Sequence, residues 1–142
     1  MLNNLHPLLI HFPIALLLSS VAFYWAGLRW KERGLDKAAS YTLWLGLVGT
    51  AVSIISGLVA AQSIPLDSPA MQTLTIHKFL GIATFVIFGI QAICARRSKG
   101  IYSPAKRMLH TVIQLSGVSL IIAVGYFGGE LVYTFGIGVL AS

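Results

Sequence analysis

Charge is what this sequence lacks most. Only 10% of its 142 residues are charged and only four are acidic, whereas a typical soluble domain carries roughly a quarter. The other side of that scarcity is a hydrophobic fraction of 56%. A soluble chain of this length has too much surface for its volume to hide so many apolar side chains. Lipid is therefore the expected solvent. No carboxylate falls within an apolar stretch, which argues against a proton or ion pump. The sequence also lacks a Ser-His-Asp set, a phosphate-binding loop, paired carboxylates and an HExxH motif, so hydrolase and kinase chemistry has no foothold. Cys94 is the only cysteine, which excludes an internal disulfide and leaves the redox compartment open. A basic leader is missing too, and the first apolar run continues for about twenty residues, as in a retained span rather than a cleaved signal peptide.

What is present is four apolar stretches near the roughly 17–25 residues a bilayer needs. They cover about 8–28, 40–61, 74–95 and 108–127. Each is about twice the length of a barrel strand, and hydrocarbon offers no partner for backbone N–H and C=O groups, so helices are expected. The whole chain, 1–142, reads as one four-helix transmembrane domain. Ser68-Pro69 and Ser103-Pro104 are good capping pairs for the third and fourth helices. Pro7 suits a helix start, and Pro13 is expected to kink the first helix or restart it there.

The net charge of +6 invites a nucleic-acid reading, but nine of the ten basic residues lie in two short loops. One loop carries Arg29, Lys31, Arg33 and Lys37, the other Arg96, Arg97, Lys99, Lys106 and Arg107. The connection from Gln62 to Thr73 has no Lys or Arg. Membrane topology alone requires such a pattern, and basic loops stay in the cytoplasm. The expected fold is thus all-α, an up-down-up-down bundle with both termini outside, in the inner membrane if the host is a bacterium. Trp25, Trp30, Tyr41 and Trp44 fall at the cytoplasmic boundary, where amphipathic rings prefer to sit. The first and third helices then face each other across the core.

Small residues recur along three helices: Gly49, Ser53 and Gly57 on the second, Gly81 and Gly89 on the third, Gly117 and Gly125 on the fourth. They serve close helix packing, or they clear room for a flat cofactor.

Any chemistry rests on His6, His11, His77 and His110, because ionisable groups inside a membrane are costly. His11 lies 18 residues before Arg29 and His77 lies 19 before Arg96. At about 1.5 Å per residue both stand roughly 27–28 Å from the cytoplasmic edge. Two imidazoles at one level on opposed helices are what bis-histidine ligation of haem b needs. Gly81, one turn after His77, would spare a porphyrin from crowding, and Lys78 could pair with a propionate or with Glu130, or snorkel to the headgroups. A bend at Pro7 or Pro13 would instead let His6, His11 and His77 form a three-nitrogen zinc or copper site. The bland alternative is interfacial histidines bonded to backbone or water. His110, three residues past Arg107, is expected to be an exposed interfacial histidine, with no second histidine at its level for another haem. Gln91, Gln114, Ser19, Ser20 and Ser116 read as interhelical hydrogen bonds rather than a transport path.

The opening from His6 to Leu17, HPLLIHFPIALL, and the ending Gly128-Gly129-Glu130-Leu131-Val132-Tyr133 followed by Gly136-Ile137-Gly138-Val139 resemble a bacterial family of four-helix membrane proteins, the domain of unknown function numbered twenty-two thirty-one. The His77 helix resembles its third span, so the resemblance covers the whole chain. Members often carry histidine where this chain has Phe135. Some stand fused to or beside cytochrome-like and Rieske-like domains, and this resemblance implies electron transfer.

Together these readings make the expected function a small b-type cytochrome-like module with one haem near the outer face, passing electrons between membrane quinol and a periplasmic or bound partner. No residue marks the quinone contact. A chain this short is expected to be a homo-oligomer or a subunit of a larger complex rather than a stand-alone enzyme. The alternatives are a cofactor-free membrane subunit or assembly protein, or an outward-facing zinc or copper protein. For the topology, a periplasmic phosphatase fused after Ser142 is expected to be active and one fused within residues 29–37 inactive; the reverse pattern would overturn the orientation.

Overall fold

The computed structural model describes residues 5–30, 33–98 and 103–138, with the side chains of 5–9, 33 and 98 outside the description. The chain forms α1 (Leu5–Trp30), α2 (Arg33–Ala61), α3 (Met71–Ser98) and α4 (Pro104–Tyr133). Among the described residues there is no strand. All four helices are long and apolar enough to cross a membrane. With 26 to 30 residues each, they span about 39–45 Å and outrun a hydrocarbon core of roughly 30 Å. Part of the extra length comes from capped helix starts. Ser103 Oγ accepts the Lys106 N–H at 3.4 Å, with Pro104 in the first turn. Ser68 Oγ accepts the Ala70 N–H at 3.3 Å, and its carbonyl takes the Met71 N–H at 3.0 Å.

Pro13 does not restart α1, one of the two outcomes expected from its ring. The helix runs unbroken through it. One lost donor and one displaced carbonyl are tolerable near a helix end that α2 supports, and Pro13 is buried against Gly49 there.

The distribution of side chains is inverted relative to a soluble bundle. Ile55 on α2, Phe79 on α3 and Ile122 on α4 are all more than 60% exposed. Gln114, Ser20, Gln91 and Thr84 are buried. Lipid is as apolar as leucine, so only polar groups and close packing gain by turning inward.

Contacts at four seams set the arrangement. Between α1 and α2, a Cβ on Gly46 would lie 2.7 Å from Leu17 Cδ2, and one on Gly49 would lie 3.1 Å from Pro13 Cβ. Between α3 and α4, a Cβ on Gly117 would lie 2.8 Å from Phe88 Cε2. The Arg96 guanidinium stands 5.2 Å from the Trp44 ring centre, joining α3 to α2 at the basic end. The Tyr24 and His110 ring centres are 4.6 Å apart, joining α1 to α4. The helices therefore close into an up-down-up-down ring with α1 diagonal to α3. The seam between α1 and α4 is the loosest of the four.

Two apolar clusters hold the ring. Leu17, Leu43, Leu47, Phe88, Ala92 and Ile121 form a layer across the middle. Ala70, Leu74 and Leu131 form a smaller one at the end opposite the basic residues. The segment after α4 folds back onto this second cluster. Gly136 donates its N–H to the Val132 carbonyl at 3.1 Å and Ile137 donates to the Leu131 carbonyl at 2.9 Å. Gly136 and Gly138 hold φ at 65° and 83°, a region open to glycine at little cost. Phe135 and Ile137 pack on the cluster.

The close approach at Gly117 makes a direct prediction. Gly117→Ala is expected to lower the denaturation midpoint in detergent, with an overpacking cost of about 1–3 kcal/mol partly offset by alanine's better helix propensity. Gly89→Ala, where a Cβ meets nothing within 4 Å, is expected to be neutral or stabilising. Equal midpoints for the two variants would show that the Phe88 contact does not constrain the bundle.

Candidate functional site

Outward of the apolar layer the four helices part around a cavity of about 800 Å³. This lies within the 300–1,000 Å³ typical of small-molecule and cofactor sites. Every helix contributes to its wall, as do the α2–α3 connection and the segment after α4. Its innermost residues are Leu17, Thr50, Thr84 and Ile121, one from each helix. Counting outward from that floor, His11 stands six residues from Leu17 and His77 seven from Thr84, about 9 and 10.5 Å along the axis. Both side chains line the cavity. The structure thus brings His11 and His77 to one cavity, from diagonal helices and within about a turn in height.

His77 is anchored across the bundle. Its Nδ1 lies 3.1 Å from the Val124 carbonyl of α4. A carbonyl can only accept, so Nδ1 carries the proton and donates, and a neutral ring in this bond has its lone pair on Nε2. Gly128 makes this reach possible. A Cβ there would lie 3.1 Å from His77 Cε1 and 3.4 Å from Nδ1. The first glycine of the C-terminal motif is thus a clearance for the imidazole one turn beyond its acceptor.

The remaining expected site residues divide. Gly81 lines the cavity, and a Cβ built on it meets nothing within 4 Å. Gly125 opposite is open in the same way, and Gly57 lines the α2 wall. Gly49 and Gly117, in contrast, are filled by Pro13 and Phe88. The small residues therefore serve packing in the middle of the bundle and clearance at the end away from the basic residues. Lys78 is half-buried in the cavity wall, while Glu130 is not part of that wall.

His6 belongs to α1 by its backbone, and its side chain lies outside the described residues. Among the described residues no group of three metal-binding side chains occurs.

The expectation for His110 is overturned. It is buried, with 3% of its surface exposed, against Tyr24 and with its Nε2 3.4 Å from Gln114 Nε2. The seam with α1 covers it, a tertiary contact that its distance from Arg107 along the chain could not reveal. It lies on the basic side of the apolar layer, apart from the cavity.

Sequence reasoning missed two participants. The Val124 carbonyl has no signature, since every residue carries one. Ser53 stood within a stripe of small residues, and only the fold turns that stripe toward the cavity.

The family described as "Predicted membrane protein (DUF2231)" matches residues 2–141. No curated protein and no solved structure matches the chain.

The clearance at Gly128 is testable by histidine ¹⁵N NMR of the purified protein. His77 is expected to give the Nδ1-protonated neutral signature, and Gly128→Val is expected to abolish it. A valine variant that keeps the signature would show that the glycine does not hold the ring in place.

Proposed function

The chain belongs to the DUF2231 family of predicted membrane proteins, and within that frame we propose that it is a small b-type cytochrome-like electron-transfer module. In this reading haem b occupies the outer cavity with His11 and His77 as its axial ligands. The observation that carries the reading is the anchoring of His77. Histidine ligands typically donate their second ring N–H to a backbone carbonyl or carboxylate, which fixes the tautomer and aims the other nitrogen at the metal. The Val124 carbonyl accepts that bond, leaving Nε2 to a ligand in a cavity that His11 shares.

The cavity wall fits a macrocycle in three further respects. Its volume suits a large cofactor, its lining is mostly apolar, and glycines on α3 and α4 leave flat clearance. Lys78 supplies a cation at the wall for a propionate. Bound there, haem b would supply one-electron transfer at a potential tuned by axial ligands and burial. The chain's own Val124 carbonyl orients the His77 imidazole, and Leu17, Ile121 and the packed segment after α4 exclude water.

The basic loops favour a cytoplasmic location, which puts the cavity near the periplasmic face of a bacterial inner membrane. The partners of such a module are a membrane quinol and a periplasmic or membrane-bound redox protein.

An air-oxidised and then dithionite-reduced absorption spectrum of the detergent-purified protein, with metals quantified, tests the reading. A sharp reduced α-band and a Soret shift at about one iron per chain are expected. His77→Ala and His11→Ala are each expected to lose most of the haem, and His6→Ala none. A flat visible spectrum after haem-supplemented expression would sink the proposal. Stoichiometric zinc or copper lost in His6→Ala would favour the metal-site alternative, and a colourless, metal-free protein that co-purifies with a complex would favour a structural subunit.

A further inference from the structure

A second concavity lies at the opposite end of the bundle from His11 and His77. It is a shallow groove of about 430 Å³ on α4, and its described lining is Pro104, Arg107, Met108, Thr111 and Val112. These residues occupy the first three turns of that helix, at the basic end. Past Arg107 the surface is an exposed apolar strip. Met108, Val112 and Leu115 are all more than half exposed, and their four- and three-residue steps keep them on one face of the helix.

Thr111 sets a hydroxyl into this wall. Thr42, Thr50, Thr75 and Thr84 each donate to the carbonyl four residues back, the usual arrangement inside a helix. Thr111 makes no such bond among the described residues, so its hydroxyl is left to the groove. Charge at this end is one-sided. Arg29, Lys37, Arg96, Arg97, Lys106 and Arg107 are exposed there, against a single described acid, Asp36. Asp67 and Glu130 stand at the other end, and among the described residues no carboxylate pairs with Arg107.

We propose that this groove binds one anionic phospholipid, with its phosphate on Arg107 and an acyl chain along Met108, Val112 and Leu115. The groove lies on the lipid-facing side of a helix long enough to cross a membrane, which selects an amphipathic ligand with its polar part at the basic end. A guanidinium is a planar fork that meets two phosphate oxygens at once. The surplus of positive charge repels the cation of a zwitterionic headgroup and favours a lipid of net negative charge. Thr111 stands four residues beyond Arg107, about 6 Å along the axis. The ester oxygens of a phospholipid lie just below its phosphate, so the Thr111 hydroxyl donates to them. None of these groups belongs to the outer cavity, and the site holds whatever fills that cavity.

Delipidated protein in mild detergent, titrated with phosphatidylglycerol and followed by native mass spectrometry, tests the site. One lipid per chain is expected to bind more tightly than phosphatidylcholine of the same chain length. Arg107→Gln is expected to weaken it about tenfold, the worth of a hydrogen bond to a charged group, and Thr111→Val about fivefold. Arg97→Gln removes the same charge from the same end but lies outside the groove, and its effect is expected to stay below about twofold. Equal losses in the two arginine variants would overturn the proposal, leaving only the general attraction of a basic surface for anions. Equal affinity for the two lipids would overturn it too. Displacement of the lipid by inorganic phosphate would show a site for a soluble anion instead.

Discussion

A backbone amide in hydrocarbon finds no partner outside its own chain. That constraint organises this molecule from its composition to its cavity. It forces the four apolar stretches into helices of 26 to 30 residues, and it removes the usual reason for apolar side chains to gather inside. What remains to hold helices together is close contact and polar pairing. The bundle uses both. Leu17, Pro13 and Phe88 fill the space that Gly46, Gly49 and Gly117 leave, and Tyr24, His110 and Gln114 gather in the interior on the basic side.

The same constraint gives the outer end its meaning. Helices that pack so tightly at mid-bundle could have closed around an apolar core along their full length. Instead they separate around about 800 Å³, with open glycines facing the gap and two histidines on its wall. Holding such a space costs the dispersion contacts that its lining forgoes. A cavity of this kind is expected where a ligand makes up the loss. The segment after α4 supports the view, because Gly136 and Gly138 adopt positive φ to bring Ile137 back over the outer cluster. The fold invests specific backbone geometry in covering this end.

The cross-helix bond from His77 to the Val124 carbonyl ties that cavity to the packing below it. The register of α3 against α4 is fixed where Phe88 lies on Gly117. About three turns outward, the same register brings the imidazole over Gly128. A shift of one residue toward Phe127 would put a side chain where the ring now lies. Packing in the middle and tautomer choice at the site are in this sense one arrangement.

Much of this was legible in the residues alone. Hydropathy determined the number of the helices and their central turns, because polar groups are costly in hydrocarbon, while the flanking turns extend each helix beyond its apolar stretch. The serine–proline pairs marked two helix starts, since capping is a local interaction. The height of His11 and His77 could be counted, because a helix rises by a constant amount per residue. Tertiary structure alone decided the rest. His110 is buried because α1 covers it, Gly49 packs while Gly81 stays open, and Ser53 keeps a hydroxyl that its neighbours spend on their own helices. These outcomes depend on which face of each helix meets which partner. Lipid imposes no hydrophobic stripe to announce that choice along the chain, so composition and spacing determined the helices and their depth, and packing between them decided where the cavity lies and which groups face it.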